Sequence, residues 1–173
     1  MGAVAHILRH AEPERWVRLH SLPLSKRYAT SKREKWTVLD RANKLASNVL
    51  GENSRCWLVH AGPHYEGAAN DADAYLRIAD YRLKLEFEHS SVEDDCAYRI
   101  FAAPVIWSVG AFDNLISKCA DDERPPTMWV SVMTGAAFAP YDGGTDLFLP
   151  TAAAAATLKC EFSDWLSNHP DGL

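Results

Sequence analysis

Residues 136–149 read Ala136-Ala-Phe-Ala-Pro-Tyr-Asp-Gly-Gly-Thr-Asp-Leu-Phe-Leu149, and they carry the strongest fold signal in the chain. Two short apolar runs flank Tyr141-Asp142-Gly143-Gly144. Adjacent glycines supply the positive φ that a type I′ or II′ turn needs, and an aspartate there bonds to backbone N–H groups two residues on. The stretch therefore reads as an antiparallel hairpin. Alternate strand residues share a face, so Asp146 points the same way as Phe148. If that face is buried, Asp146 needs a cationic partner, and Arg18 or Lys26 is the expected one.

Moving outward, Pro150 stops the second strand and Thr151 is placed to cap a final helix with the apolar stripe Leu158, Phe162, Trp165 and Leu166. On the other side, 128–133 reads as a strand, 110–120 as a short helix, and 97–107 as a strand interrupted by Pro104. The pattern over 74–88 is mixed and reads as a short helix running into an exposed strand. Cys56-Trp57-Leu58-Val59 is continuously apolar, which predicts a central strand over 55–61 covered on both faces. Ser31 and Glu34 have capping-box spacing, opening a helix that runs to about Leu50, with Gly51 placed to end it. Val38, Ala42, Leu45 and Val49 form its buried stripe. In the strand over 16–22, Trp16, Arg18, His20 and Leu22 share a face. Residues 1–15 read as a short helix or a loosely packed arm. Strands and helices interleave without strict βαβ alternation. The expectation is an α+β fold, a single domain over 1–173, with a mixed or antiparallel sheet and three to four helices.

The length of 173 residues and the 47% hydrophobic content suffice for a core without metal or disulfide. Charge is uneven: residues 1–50 hold ten basic and four acidic residues, while the remainder holds eight and nineteen, balances of +6 and −11 that add to −5. Such a split reads either as an anion-binding face or as two halves attracting one another within the fold. An acidic chain is a poor non-specific ligand for nucleic acid, whose affinity comes from neutralising phosphates. The acidic body and six tryptophans suit a basic protein partner. The longest apolar runs fall far short of the ~20 residues that span a bilayer, and His6, Arg9 and His10 break any signal-peptide pattern. A cytoplasmic protein with reduced cysteines is expected.

No cofactor is expected. Cys56, Cys96, Cys119 and Cys160 contain no C-x-x-C. His60 and His64 have H-x3-H spacing, but Gly62-Pro63 forbids the helix that would align them. Asp121-Asp122-Glu123 and the Asp142–Asp146 turn lack cation-ligand spacing. One constellation has chemistry to offer. Arg18, His20, Lys26, Arg27 and Tyr28, with Tyr141, Asp142 and Asp146 opposite, could form an anion cradle: arginine presents a planar fork to carboxylate or phosphate, and histidine titrates near neutrality. The same residues could equally form a structural network across the sheet.

Arg18-Leu-His-Ser-Leu-Pro-Leu-Ser-Lys-Arg-Tyr28, Gly110-Ala-Phe-Asp113, Pro140-Tyr-Asp-Gly-Gly-Thr-Asp146 and Asp164-Trp-Leu-Ser-Asn-His-Pro-Asp-Gly-Leu173 resemble, in order, the motifs of an uncharacterised bacterial protein family. The likeness covers roughly 16–61 and 107–173. The chain departs from that pattern at Phe138-Ala139, where the family has an aromatic followed by histidine, so a histidine expected to meet Asp142 is missing. The resemblance implies fold boundaries and carries no activity. No catalytic signature stands out, which favours a non-enzymatic interaction module of the regulatory or immunity kind. The alternative is a small enzyme or sensor that binds a phosphorylated or carboxylated metabolite through Arg18, His20, Lys26 and Arg27.

Overall fold

The computed structural model describes residues 5–64, 75–91, 96–123 and 127–166. Helix α1 (Ala5–Ala11) leads into strand β1 (Trp16–His20), and α2 (Lys32–Leu50) crosses to β2 (Arg55–His64). Strands β3 (Tyr75–Ile78), β4 (Tyr81–Ser91) and β5 (Cys96–Ile106) follow as a meander. After α3 (Asp113–Ala120) come β6 (Thr127–Ser131), β7 (Ala137–Tyr141), β8 (Gly144–Phe148) and α4 (Ala152–Glu161). The eight strands form one sheet in the order β1-β8-β7-β6-β2-β5-β4-β3, with every neighbouring pair antiparallel. The fold is α+β.

Local chemistry accounts for the elements. The Ser31 hydroxyl accepts from the Glu34 amide while the Glu34 carboxylate accepts from the Ser31 amide, so α2 begins on a complete capping box. Gly51, at φ +87°, ends it. Val38, Ala42, Leu45 and Val49 of α2 are buried with α3 and α4 against the inner sheet face, which contributes Val17, Leu58, Phe138 and Leu147. At the centre Trp107 stacks on Phe112 and meets Trp129 edge-on, with ring centroids 5.5 and 6.0 Å away.

Three expectations need correction. Residues 75–88 hold no helix: Leu76, Ile78, Leu83 and Leu85 turn inward from two strands that reverse at Ala79, which has φ +49°. Charged residues at alternate positions give an amphipathic strand, and burial of its apolar half against the sheet overrides the helical spacing. Pro104 does not interrupt β5. Pairing with β4 stops at Ala102, so at Pro104 the strand has β2 as its neighbour on one side only, where a proline is tolerated. Strand β2 is central but not covered on both faces, and Trp57 on its outer face is 42% exposed. The outer sheet face carries α1, which seats Leu8 in a second apolar cluster with Val59, Met128, Ala137 and Phe148. Residues 5–11 are thus a docked helix, not a loose arm.

Candidate functional site

Antiparallel pairing of β1 with β8 sets Arg18 opposite Asp146 on the outer face. The Arg18 Nε donates to Asp146 Oδ1 at 2.8 Å and Nη2 donates to Oδ2 at 2.9 Å, a two-pronged pair. Trp16 Nε1 donates to the same Oδ1 at 2.9 Å. Asp146 is only 4% exposed, so it is the buried carboxylate whose cationic partner the hairpin reading required. The guanidinium lies between two rings, 5.3 Å from the Trp16 centroid and 4.7 Å from that of Tyr141. Burial by itself would lower the Arg18 pKa, but the hydrogen bonds and charge of Asp146 outweigh it and the net direction is upward. Burial pushes the Tyr141 phenol up to about 12.

The second group sits at the turn. Arg27 Nε bonds to Asp142 Oδ2, and the Tyr28 hydroxyl donates to the same oxygen at 2.9 Å. This ties the loop after β1 to the β7–β8 hairpin. The glycines work differently from the expectation. Gly143 takes φ +100° while Asp142 keeps a negative φ, the pattern of a type II turn. Gly144 needs no positive φ. A Cβ there would stand 2.6 Å from both the Leu19 carbonyl oxygen and the Tyr141 hydroxyl, so it is glycine because the chain passes too close. Gly143→Val should cost about 1–3 kcal/mol through backbone strain. Gly144→Val should cost at least as much, because the obstacle is backbone. Urea unfolding of both variants tests this, and wild-type midpoints would refute the turn.

Lys26 belongs to a third group. Its Nζ donates to Glu34 Oε1 at 2.6 Å and to Thr30 Oγ1 at 2.8 Å, at the start of α2. Lys26 and the Thr30 amide hold the Glu34 carboxyl down at about 2, from an ordinary value of 4.5. A carboxyl depressed in the fold stabilises it above the unfolded pKa, and that contribution is lost as pH falls from about 4.5 toward 2. Glu34→Gln should therefore flatten the acid limb of the stability curve in that window. Thermal melts of both proteins between pH 2 and 6 would show it, and parallel curves would refute it.

His20 lies at the end of β1. Its Nε2 is buried without a hydrogen-bond partner. Burial pulls its pKa down, helped by the Arg18 and Arg41 cations and opposed by the Gly143 carbonyl. The eight residues thus fall into an outer-face group (Arg18, Tyr141, Asp146), a turn group (Arg27, Tyr28, Asp142) and a helix-cap contact (Lys26), with His20 beside them. Arg18, Lys26 and Arg27 each already hold a carboxylate. The cavity beside Arg27, also lined by Ser21, Lys35, Asp121 and Gly143, has a volume of about 20 Å³, room for roughly one water.

A larger feature was not read from the sequence. On the outer face of β5, β2 and β6, an apolar groove of about 220 Å³ runs between Leu8 of α1 and Phe87 of β4, floored by Val59, Ile100, Met128 and Val130. Trp57 and Phe87, exposed by 42% and 47%, rise from it, and Ile106 lies exposed on the same face. The available signal was Phe87 among charged residues of β4, together with the alternation of Trp57 and Val59 against Cys56 and Leu58. Among the described residues no helix of the chain is long and apolar enough to cross a membrane.

A family model described as a domain of unknown function (DUF3885) matches residues 4–170, and the chain belongs to that family. The match runs through residues 65–100, which the motifs in the sequence do not reach. Comparison with curated proteins and with solved structures finds no match. Ala139, where the resemblance leads to the expectation of a histidine, pairs with Asp146 across β7 and β8. A longer side chain there would face the Arg18–Asp146 pair, not Asp142 in the turn.

Proposed function

We propose that this is a bacterial, cytoplasmic, non-enzymatic interaction module of the regulatory or immunity kind, and that it holds another protein on the open face of its sheet. One observation carries the reading: the apolar groove beside Trp57 and Phe87 that no described element of the chain covers. Contiguous exposed apolar surface flanked by charged residues marks interaction sites on soluble proteins, and protruding aromatic side chains are the usual energetic anchors. The metabolite-binding alternative has less support, because the cations it would use are spent on Asp146, Glu34 and Asp142.

The test is a photoreactive amino acid placed at position 87, on the groove, and in a second protein at position 36, where Trp36 is exposed on α2. In-cell crosslinking should give a protein adduct from position 87 and none from position 36, and the identified protein should bind the purified chain. Equal adducts from both positions, or none from 87, would remove the proposal.

A further inference from the structure

The charges around the groove point to the kind of partner. The outer faces of β3 and β4 present Arg77, Arg82 and Lys84, and Arg55 stands exposed at the start of β2. Arg77 and Arg82 are direct cross-strand partners, an arrangement in which like charges destabilise a sheet. Arg82 stacks on the Tyr75 ring at 3.8 Å, which holds the guanidinium flat on the surface. Among the described residues Arg55, Arg77 and Arg82 make no ion pair, and Lys84 reaches only Glu86, at 3.9 Å. The chain as a whole is acidic, yet the β3–β4 side of this groove sets Arg77, Arg82 and Lys84 against Glu86, the one charged residue that lines the groove itself.

The groove also has a shape. Its lining runs from Phe148 of β8 and Ala137 of β7, which cluster with Leu8, across β6, β2 and β5 to Glu86 and Phe87 of β4; the three middle strands span two strand spacings, about 10 Å, close to the diameter of one α-helix. Helix α1 already lays Leu8 on this face at one side of the floor. The free space beside it suits a second helix packed the same way.

We infer that the groove receives an amphipathic helix of a partner protein, with apolar residues on one stripe and carboxylates along the flank that meets Arg77, Arg82 and Lys84. The inference rests on the reading of the open face as the docking surface and names what docks there. A second copy of this chain is the poorer occupant, since a face-to-face pair would bring two basic rims together.

Two designed helical peptides with identical leucine stripes test it, one carrying glutamate on both flanks and the other lysine. Binding to the full chain is followed by fluorescence anisotropy of the labelled peptides. The glutamate peptide should bind about 10-fold more tightly at low salt, the gain expected from a few rim charge pairs, and the difference should shrink as salt screens them. Arg77→Glu with Arg82→Glu, both at exposed positions, should erase or reverse the preference without changing the melting temperature appreciably. Equal binding of the two peptides, or tighter binding of the lysine peptide, overturns the acidic partner but leaves the docking face standing. If neither peptide binds, or if a folded Trp57→Glu protein binds as well as wild type, the docking face itself is refuted and the inference falls with it.

Discussion

Asp146→Ala will lower stability by about 3–5 kcal/mol, because it strands the Arg18 guanidinium in a site built to neutralise it. The Arg18 side chain is 15% exposed and that of Asp146 is 6% exposed, so water replaces little of what is lost. Arg18→Met alone should cost a similar amount, since it leaves a buried carboxylate with only the Trp16 N–H. The double variant Arg18→Met with Asp146→Leu removes both charges and should recover most of the loss, because two charges no longer need to be desolvated. The coupling energy from that cycle, read from urea unfolding at constant slope, measures the pair. An Asp146→Ala loss below about 1 kcal/mol would mean that the pair behaves as a solvated surface bridge. The cycle also bears on function: if these residues hold each other, an added anion has nothing to bind, and phosphate should not shift the melting temperature.

Trp107→Ala should cost about 3–5 kcal/mol, the range for deleting a large buried aromatic. Trp107 has no exposed surface. Its ring lies within 6.0 Å, centroid to centroid, of Phe112, Trp129 and Phe138, so the cavity opens where α3, β6 and β7 meet. Its Nε1 donates to the Ser47 hydroxyl of α2 at 3.0 Å. Trp107→Phe keeps the stack on Phe112 and should lose mainly that bond, about 1 kcal/mol, together with the smaller ring's packing. The difference between the two variants separates packing from hydrogen bonding. An alanine variant with near-wild-type stability would show that the three elements can close over the gap.

Several elements were legible because their signals are local. The Ser31–Glu34 box and Gly51 bracket α2 by satisfying or releasing backbone groups within a few residues. Thr151 accepts from the Ala154 amide to start α4 in the same way. The β7–β8 hairpin follows from two apolar runs and a glycine turn, and strand alternation then required a partner for Asp146. That partner is Arg18, at |i−j| of 128, and Lys26 turned instead to Glu34, eight residues away. The segment over 75–88 was misread because a strand whose inner half is buried and a short amphipathic helix share the same few apolar positions, and only pairing with β5 separates them. Pro104 misled for a related reason: whether a proline breaks a strand depends on which neighbour needs its N–H.

The sequence by itself determined the α+β class, the bounds of α2, the hairpin and the demand that a buried Asp146 be neutralised. Each of these rests on backbone hydrogen bonding or side-chain alternation within a short window, so neighbouring residues suffice to specify it. Tertiary structure alone decided that the eight candidate site residues separate into three groups with His20 beside them, that Trp57 lies on an open face although its strand is central, and that Arg77 and Arg82 flank an apolar groove on a chain of net charge −5. The physical reason is that a composition averages charge over the whole surface. The field a partner meets is set by which few side chains the strand order brings to one face.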